Sequence, residues 1–354
     1  METIKYKTAR YVSLFPHGKG GFLGVGSKQT YIGNSKMWET ISALLSKCKV
    51  PQTLSEVESS IRHLDKSDVE ESMKILTISN SLVPDHLIDY NDRFSRNHLY
   101  YSYMGSTPSQ VQAKISNSSV TIIGCGGIGN HIAYMLATSG VGTIHLVDDD
   151  HIEISNLTRQ VLFTEEDIGQ EKTHVLKREL LRRNSSTSVD ITPISITKKQ
   201  DLEKLEKSDL YIVSADYPAQ LIDWVNEFCV ENNQPYLNVG YMNDISVVGP
   251  FVVPTKTSCF RCASVSSNAN DLNLNSDVKQ LNEDFKAATF APINGISANF
   301  ATSEILKFIG EYSRPLSYNK RIGIYSDRLK IEEQTIEKNK ECQVCGPTQT
   351  KSFS

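Results

Sequence analysis

Short apolar runs alternate with amphipathic stretches through the middle of the chain. Five of these runs predict β-strands: Val120–Ile123, Thr143–Asp148, Val189–Ile196, Leu210–Ser214 and Tyr236–Val239. Between them lie three stretches with helical spacing: His131–Ser139, Lys172–Asn184 and Pro218–Asn232. Alternating strands and helices favour an α/β fold with a doubly wound, largely parallel, Rossmann-like sheet. Two later runs, Ile245–Val253 and Arg321–Asp327, predict further strands in antiparallel orientation.

Residues 1–90 differ in pattern and predict a separate small domain, which leaves 91–354 for the second. Two apolar segments flank a Gly-rich turn at His17–Gly21, which predicts a hairpin. Capping boxes, in which a Ser or Thr is followed three residues later by Glu, predict helix starts at Thr53 and Ser67. A hairpin with short helices is typical of a winged-helix-like domain. The alternative is an ordinary dimerisation or packing extension.

Length and charge limit the function classes. The chain has 354 residues, enough for about two domains, and its net charge of −4 argues against sequence-independent nucleic-acid binding. No apolar run approaches the ~20 residues of a membrane span, and the N-terminus lacks the apolar segment of a secretory signal. We therefore expect a cytoplasmic protein with no membrane or nucleic-acid partner. Residues 263–288 are mostly polar and predict a long mobile crossover loop before a helix at Asn294–Gly310.

The stretch GCGGIGN at 124–130 follows a predicted strand and opens a predicted helix. Gly124, Gly126 and Gly129 fit the spacing of a phosphate-binding loop, in which backbone amides and a helix N-terminus face phosphates. Asp148 ends the next strand, where a carboxylate can accept hydrogen bonds from ribose hydroxyls; Asp150 is a weaker candidate. This much would also suit a dinucleotide, so an NAD(P) oxidoreductase is an alternative.

Further polar residues after this motif favour ATP over NAD. Asn156, Arg159 and Lys172 follow Asp148 closely, and Arg and Lys suit a triphosphate. Asp216 closes the fourth strand, where an acid can hold Mg²⁺ bound to phosphates. Surface ion pairs for the two cations, and a helix cap for the acid, are the alternatives.

Two CxxC pairs are the strongest indication of a metal site. Their four thiolates suit tetrahedral Zn²⁺ in a structural role: Cys259, Cys262, Cys342 and Cys345. Thioredoxin-like redox chemistry is the alternative. The remaining cysteines, Cys48, Cys125 and Cys229, are expected to be small buried apolar residues rather than nucleophiles.

Together these motifs resemble the ThiF/MoeB superfamily, the adenylating part of ubiquitin-activating-type enzymes, from Arg93 to Cys345. The resemblance implies ATP–Mg²⁺-dependent adenylation of a peptide's C-terminal carboxylate, a homodimer and structural zinc. It also implies site roles: phosphate binding by the glycine loop, Gly127 included, ribose binding by Asp148, triphosphate binding by Asn156, Arg159 and Lys172, and metal binding by Asp216. The second Arg of an RxxR pattern, Arg96, would reach the partner's active site.

Within the superfamily the chain is similar to the MccB-like enzymes of microcin C biosynthesis. Segments that carry this likeness include RFSRN, SNLTRQVLF, KRELLRRNS, VSAD, FAPIN and NKRIGIYSD. The likeness implies that the N-terminal domain binds a short ribosomal precursor peptide ending in Asn. Its carboxylate would be activated with ATP or another nucleoside triphosphate, cyclise to a succinimide and then form an N–P bond to a second nucleotide.

Two alternatives remain open besides the NAD(P) oxidoreductase. One is an enzyme that adenylates a ubiquitin-like sulfur carrier, although no cysteine lies between 262 and 342 to form a thioester or persulfide. The other is a peptide-binding protein with an inactive nucleotide site.

Overall fold

The structure is a computed structural model that describes residues 4–61, 65–89, 91–262 and 287–346. It divides into two compact units, residues 1–112 and 113–354. No helix in the described ranges is long and apolar enough to cross a membrane.

The first unit combines short strands with helices. Its strands are β1 (Lys5–Thr8), β2 (Leu14–His17), β3 (Gly20–Leu23), β4 (Thr30–Ile32), β5 (Gln52–Thr53) and β6 (Leu82–Pro84). Its helices are α1 (Ser35–Lys47), α2 (Leu54–Ser60), α3 (Lys66–Ile78) and α4 (Ser95–Tyr103), with α5 (Pro108–Ser116) at the boundary. The strands form two antiparallel sheets, ordered β5-β1-β6 and β2-β3-β4.

The predicted hairpin is confirmed as β2 and β3, which turn at Gly18. The capping box at Thr53 is also confirmed, because Thr53 N donates to Glu56 Oε2 and Glu56 N donates to Thr53 Oγ1. The predicted cap at Ser67 is wrong. Asp65 caps α3, because its carboxylate accepts hydrogen bonds from the backbone of Ser67 and Asp68.

The compact units divide at 112/113, whereas the sequence analysis placed the domain boundary at 90/91. Contacts between α4 and the turn that connects β1 to β2 explain the difference. The Tyr11 hydroxyl lies 3.1 Å from Ser102 Oγ, and the Tyr11 and Tyr103 rings meet edge to face. The assignment of a peptide-binding role to this unit stays a prediction.

The second unit contains one large sheet with helices. Its strands are β7 (Ser119–Ile123), β8 (Thr143–Val147), β9 (Ser188–Thr192), β10 (Leu210–Val213), β11 (Tyr236–Met242), β12 (Ile245–Val252), β13 (Lys320–Tyr325) and β14 (Lys330–Thr335). Its helices are α6 (Gly127–Ser139), α7 (Lys172–Arg183), α8 (Leu221–Glu231) and α9 (Ala291–Gly310).

The eight strands are ordered β14-β13-β12-β11-β10-β7-β8-β9. Pairings from β11 to β9 are parallel, and those from β11 to β14 are antiparallel. The strand order reverses direction at β7, because β8 lies on one side of β7 and β10 lies on the other. Such a reversal creates a crevice at the carboxyl ends of these strands. The predicted α/β fold with a doubly wound sheet is therefore confirmed, as are the antiparallel strands after it.

Two helix starts differ from their predictions. Helix α6 begins at Gly127, before the predicted start at His131. The prediction missed the first turn because two of its residues are glycines, which contribute no apolar periodicity. Helix α9 begins at Ala291 rather than Asn294, with Pro292 in its first turn, where the missing N–H costs no hydrogen bond. The predicted crossover loop at 263–288 lies outside the described residues except for its last two positions.

Candidate nucleotide site and metal cluster

The glycine loop connects β7 to α6 and needs glycine for two different reasons. Gly124 has φ +96°, and a Cβ there would lie 2.7 Å from the backbone nitrogen of Ala215. A Cβ at Gly129 would lie 1.9 Å from the carbonyl oxygen of Gly124. The loop therefore passes close to the end of β10, where Ser214 Oγ donates to the same Gly124 oxygen over 2.8 Å.

The N-terminus of α6 opens at this loop without a side-chain cap. Gly126 is the N-cap residue, and no heavy atom comes within 4 Å of a Cβ built on it. The first N–H groups of a helix have no partner inside the helix, and the helix dipole favours negative charge there. This end of α6 can therefore accept phosphate oxygens.

Asp148 follows β8 and is held by the loop backbone. Its Oδ2 accepts from Cys125 N over 2.6 Å, and its Oδ1 accepts from Asp150 N over 2.9 Å. Burial raises the pKa of Asp148, while the charge of Lys172 acts in the opposite direction. A carboxylate has about four acceptor positions, so lone pairs remain for ligand hydroxyl groups.

Lys172 begins α7 and forms an ion pair with Asp150. Its Nζ donates to Asp150 Oδ2 over 2.6 Å, and its backbone N donates to Asp150 O over 3.0 Å. The Lys172 side chain is 7% exposed, whereas that of Asp150 is 66% exposed. The buried cation thus has an anionic partner that remains in contact with water.

Arg159 and Asn156 lie in the turn that follows the acidic stretch. Arg159 Nη1 donates to the carbonyl oxygen of Ser155 over 2.9 Å. Asn156 is buried, and its Oδ1 accepts from the backbone N of Glu153 over 3.1 Å. Hydrogen bonds to the backbone of this turn thus hold both side chains in the lining of the cavity.

These groups line one cavity of about 950 Å³ at the carboxyl ends of the parallel strands. The predicted residues in its lining are Gly124, Gly126, Gly127, Asp148, Asp150, Asn156, Arg159, Lys172 and Asp216. Gly129 lies beneath the loop and is not among the lining residues. Arg96 belongs to the first unit, in the wall of a smaller cavity that also includes Arg10.

The charge of this lining is unbalanced. Among the described residues of the lining, five carboxylates face two permanent cations. The carboxylates belong to Asp148, Asp149, Asp150, Glu153 and Asp216, and the cations are Arg159 and Lys172. A divalent cation between carboxylates and phosphates would add positive charge that favours a bound polyanion.

The two CxxC pairs come together as a four-cysteine cluster: Cys259, Cys262, Cys342 and Cys345. The sulfur of Cys259 lies 3.6 Å from that of Cys342, and the sulfurs of Cys262 and Cys345 are 3.3 Å apart. All four sulfurs lie within 4.8 Å of one another. A tetrahedral ion with metal–sulfur bonds of about 2.3 Å separates its sulfur ligands by about 3.8 Å. The cluster therefore has room for one such ion.

Helix α8 holds the first CxxC segment in place. Asn226 Oδ1 accepts from Phe260 N over 3.1 Å, and Arg261 Nε lies 2.8 Å from Asp223 Oδ1. The cluster is thus joined to the sheet unit by side chains that are not metal ligands, as is usual around protein metal sites.

The other three cysteines are buried. Each of Cys48, Cys125 and Cys229 has an accessible fraction of 0%. Burial raises the pKa of each thiol, because the charged thiolate loses its hydration. The prediction that they are buried residues is confirmed, and their raised pKa values disfavour the thiolate that a nucleophile needs.

A protein-family model described as the ThiF family matches residues 100–344. This chain belongs to the ThiF family. A crystal structure of Escherichia coli MccB with MccA-N7isoAsn is 44% identical to it, covers 97% of this chain and 100% of that chain, and has a TM-score of 0.92. The structure of E. coli MccB with ATP has the same identity and coverage, with a TM-score of 0.91.

Curated ThiF-family relatives match a smaller part of the chain. The sulfur carrier protein ThiS adenylyltransferase of E. coli strain K12 is 27% identical over 238 residues, 66% of this chain and 88% of that protein. The MccB match covers 97% of the chain, so it must include most of the first unit. The expected family and its enzyme class, nucleotide transfer, are confirmed, and the MccB-like branch fits better than the sulfur-carrier branch.

Asn294 is a further residue of the site, which no sequence motif indicated. It lies in the first turn of α9 and lines the cavity beside Gly127, where a Cβ would come within 2.4 Å of Asn294 Nδ2. The only sequence signal was its position in the segment FAPIN, where an amide interrupts apolar residues at the start of a helix.

Proposed function

We propose that this ThiF-family enzyme uses ATP to activate the C-terminal carboxylate of a short ribosomal peptide ending in Asn. The activated peptide then cyclises to a succinimide and is converted to a nucleotidyl peptide with an N–P bond. The observation that carries the proposal is the match to E. coli MccB over 97% of this chain and the whole of that one. Structures of that enzyme contain MccA, succinimide and ATP.

The cavity offers groups that match the phosphates and the ribose of the nucleotide. The uncapped N-terminus of α6 faces the phosphates, and Asp148 accepts from the ribose hydroxyls. Arg159 and Lys172 offset the charge that develops as pyrophosphate leaves. Mg²⁺, held by Asp216, would add positive charge to a lining in which five carboxylates outnumber two cations. It would also polarise the phosphates.

None of the proposed steps requires a cysteine nucleophile, because each attacking atom belongs to the peptide. A carboxylate oxygen of the peptide attacks the α-phosphorus of ATP, and pyrophosphate leaves. The side-chain amide nitrogen of the terminal Asn then attacks the acyl carbon, AMP leaves with the electron pair of the C–O bond, and the nitrogen loses a proton. The succinimide nitrogen, after loss of its remaining proton, attacks the α-phosphorus of a second nucleotide, and pyrophosphate leaves again. Ring closure within one residue is fast, because the reacting groups are already linked.

The remaining parts of the proposal concern assembly. The four-cysteine cluster would hold Zn²⁺ in a closed shell of four sulfurs, which stabilises the fold rather than taking part in the reaction. Zinc binding requires that these cysteines stay reduced and not form disulfides, which supports a cytoplasmic location. The enzyme would act as a homodimer, in which Arg96 of each chain reaches the site of the other.

The decisive experiment incubates the enzyme with a short Asn-ended peptide and each of the four nucleoside triphosphates in turn, followed by mass spectrometry of the products. We expect release of pyrophosphate and AMP, and a peptide product heavier by one nucleotidyl group less one water, because ring closure expels the terminal carboxylate oxygen with AMP. A ubiquitin-like protein ending in Gly-Gly serves as the competing substrate. Activation of that protein, with none of the peptide, would establish the sulfur-carrier alternative instead.

A further inference from the structure

Asn294 has an unusual environment for a buried amide. Its accessible fraction is 1%, and its side chain lines the cavity. The Nδ2 atom donates only a long hydrogen bond, 3.3 Å, to Thr289 Oγ1. In the described part of the chain, no donor lies within hydrogen-bond distance of Oδ1. A buried acceptor without a partner costs folding free energy, so such a group calls for an explanation.

The Asn294 side chain lies beside the glycine loop, where the reaction at the α-phosphorus would take place. A Cβ at Gly127 would lie 2.4 Å from Asn294 Nδ2 and 3.2 Å from Arg159 Cγ, so both side chains pack over the glycine loop. The loop is the phosphate-binding part of the site, and the terminal residue of the peptide must come to the α-phosphorus beside it. Asn294 is therefore placed near the last residue of the substrate rather than near the nucleobase.

Asn294 also differs in charge from the carboxylates that line the cavity. Asp148 and Asp150 are carboxylates that already accept hydrogen bonds from the loop and from Lys172. A carboxylate repels both the peptide carboxylate and the triphosphate, whereas an amide oxygen does not. A neutral acceptor in this place suits a neutral donor, and a primary carboxamide has two N–H donors.

Among the described residues of the lining, Gln160 also has a buried amide oxygen without a partner, Oε1. Gln160 follows the turn that contains Arg159, and it is not among the nearest neighbours of a Cβ built on Gly127, whereas Asn294 is. Asn294 is therefore the one of these two acceptors that packs over the glycine loop.

We infer that Asn294 recognises the side-chain carboxamide of the substrate's C-terminal residue by accepting one of its N–H hydrogens. The inference rests on the proposed function and adds the residue that selects Asn at the peptide terminus. Asn294 acts as a positioning residue that turns the amide nitrogen toward the acyl carbon. It takes no proton, because an amide oxygen is too weak a base.

The test compares two peptides that differ only in their last residue, Asn or Ala, by initial rates of ATP–pyrophosphate exchange. The preference is the ratio of kcat/KM for the two. We expect the wild-type enzyme to prefer the Asn-ended peptide by about 10- to 100-fold, the range expected for one buried hydrogen bond. Asn294→Leu should bring this ratio close to one while exchange with the Ala-ended peptide continues. Asn294→Asp keeps an acceptor in nearly the same shape and should restore part of the preference.

Asn299→Leu is the matched control, because Asn299 is an exposed residue of the same helix whose side chain donates only to the carbonyl oxygen of Gly295. It should leave the ratio unchanged. An unchanged ratio in Asn294→Leu would overturn the inference, and so would an equal loss of exchange with both peptides or the absence of any preference in the wild type. Failure of the wild type to exchange with either peptide would instead refute the proposed function itself.

Discussion

Replacing Lys172 with Met is expected to abolish nucleotide activation while changing stability little. The Lys172 side chain is 7% exposed and pairs with Asp150, which is 66% exposed and stays hydrated when the ammonium is removed. Met keeps the length and apolar stem of the side chain. We therefore expect the free energy of unfolding to change by less than about 1 kcal/mol.

The effect on activity should be much larger. Lys172 is one of two permanent cations among the lining residues that the structure describes, which also include five carboxylates. Removing one preorganised group that stabilises developing charge typically lowers kcat by about 10²–10³-fold. Lys172→Met should therefore show a loss of this size in ATP–pyrophosphate exchange.

Substitution of the other partner, Asp150→Asn, separates the contribution of the ion pair to stability from the contribution of the Lys172 cation to activity. It leaves the buried Lys172 ammonium without its anionic partner, at a cost of about 1–3 kcal/mol, since the hydrogen bond involves charged groups. In a unit of this size, each kcal/mol of lost stability lowers Tm by about 2–4 °C. The cation remains in the cavity, so exchange should stay within about tenfold of wild type.

Thermal unfolding and pyrophosphate exchange measured on both variants check these expectations. The reasoning predicts opposite patterns, with Lys172→Met stable and inactive and Asp150→Asn less stable and active. Equal losses of activity in the two variants would refute it, because the ion pair would then act as one catalytic unit. A large drop in stability for Lys172→Met would show that the pair holds the fold together.

Three further predictions follow from the site. Asp216→Ala should remain folded and lose turnover, because Mg²⁺ loses its carboxylate; pyrophosphate release within about threefold of wild type would rule out the metal assignment. Metal analysis of protein purified under reducing conditions should find about one zinc per chain, and a chelator should lower Tm; protein without zinc would contradict the role of the four-cysteine cluster. Homodimers of Arg96→Ala and of Lys172→Ala should each be nearly inactive, whereas mixed dimers should recover activity, because one composite site then carries neither change. No recovery after verified subunit exchange would mean that Arg96 does not act in trans.

The sequence by itself determined seven of the eight strands described in the second unit's sheet and the position of its nucleotide loop. The exposed strand β14 contains no apolar run and was not predicted. Buried strands such as Leu210–Val213 are continuous apolar runs, and the glycine loop lies between a strand and a helix in the chain itself. These features depend on neighbours within a few residues, so periodicity and spacing reveal them. Local rules failed at three helix starts. Asp65 rather than Ser67 caps α3, and α6 and α9 each begin before the apolar periodicity that predicted them.

The tertiary structure alone decided which distant side chains meet. The ion pair of Lys172 with Asp150 depends on how α7 returns to the end of β8. Asn294 reaches the glycine loop only because α9 packs against α6, more than 150 residues earlier in the chain. Its amide is ordinary as a residue type, and it became a candidate because its oxygen is buried without a partner in the lining of the nucleotide cavity. Burial and hydrogen-bond satisfaction are properties of packed elements, and no local pattern in the chain encodes them.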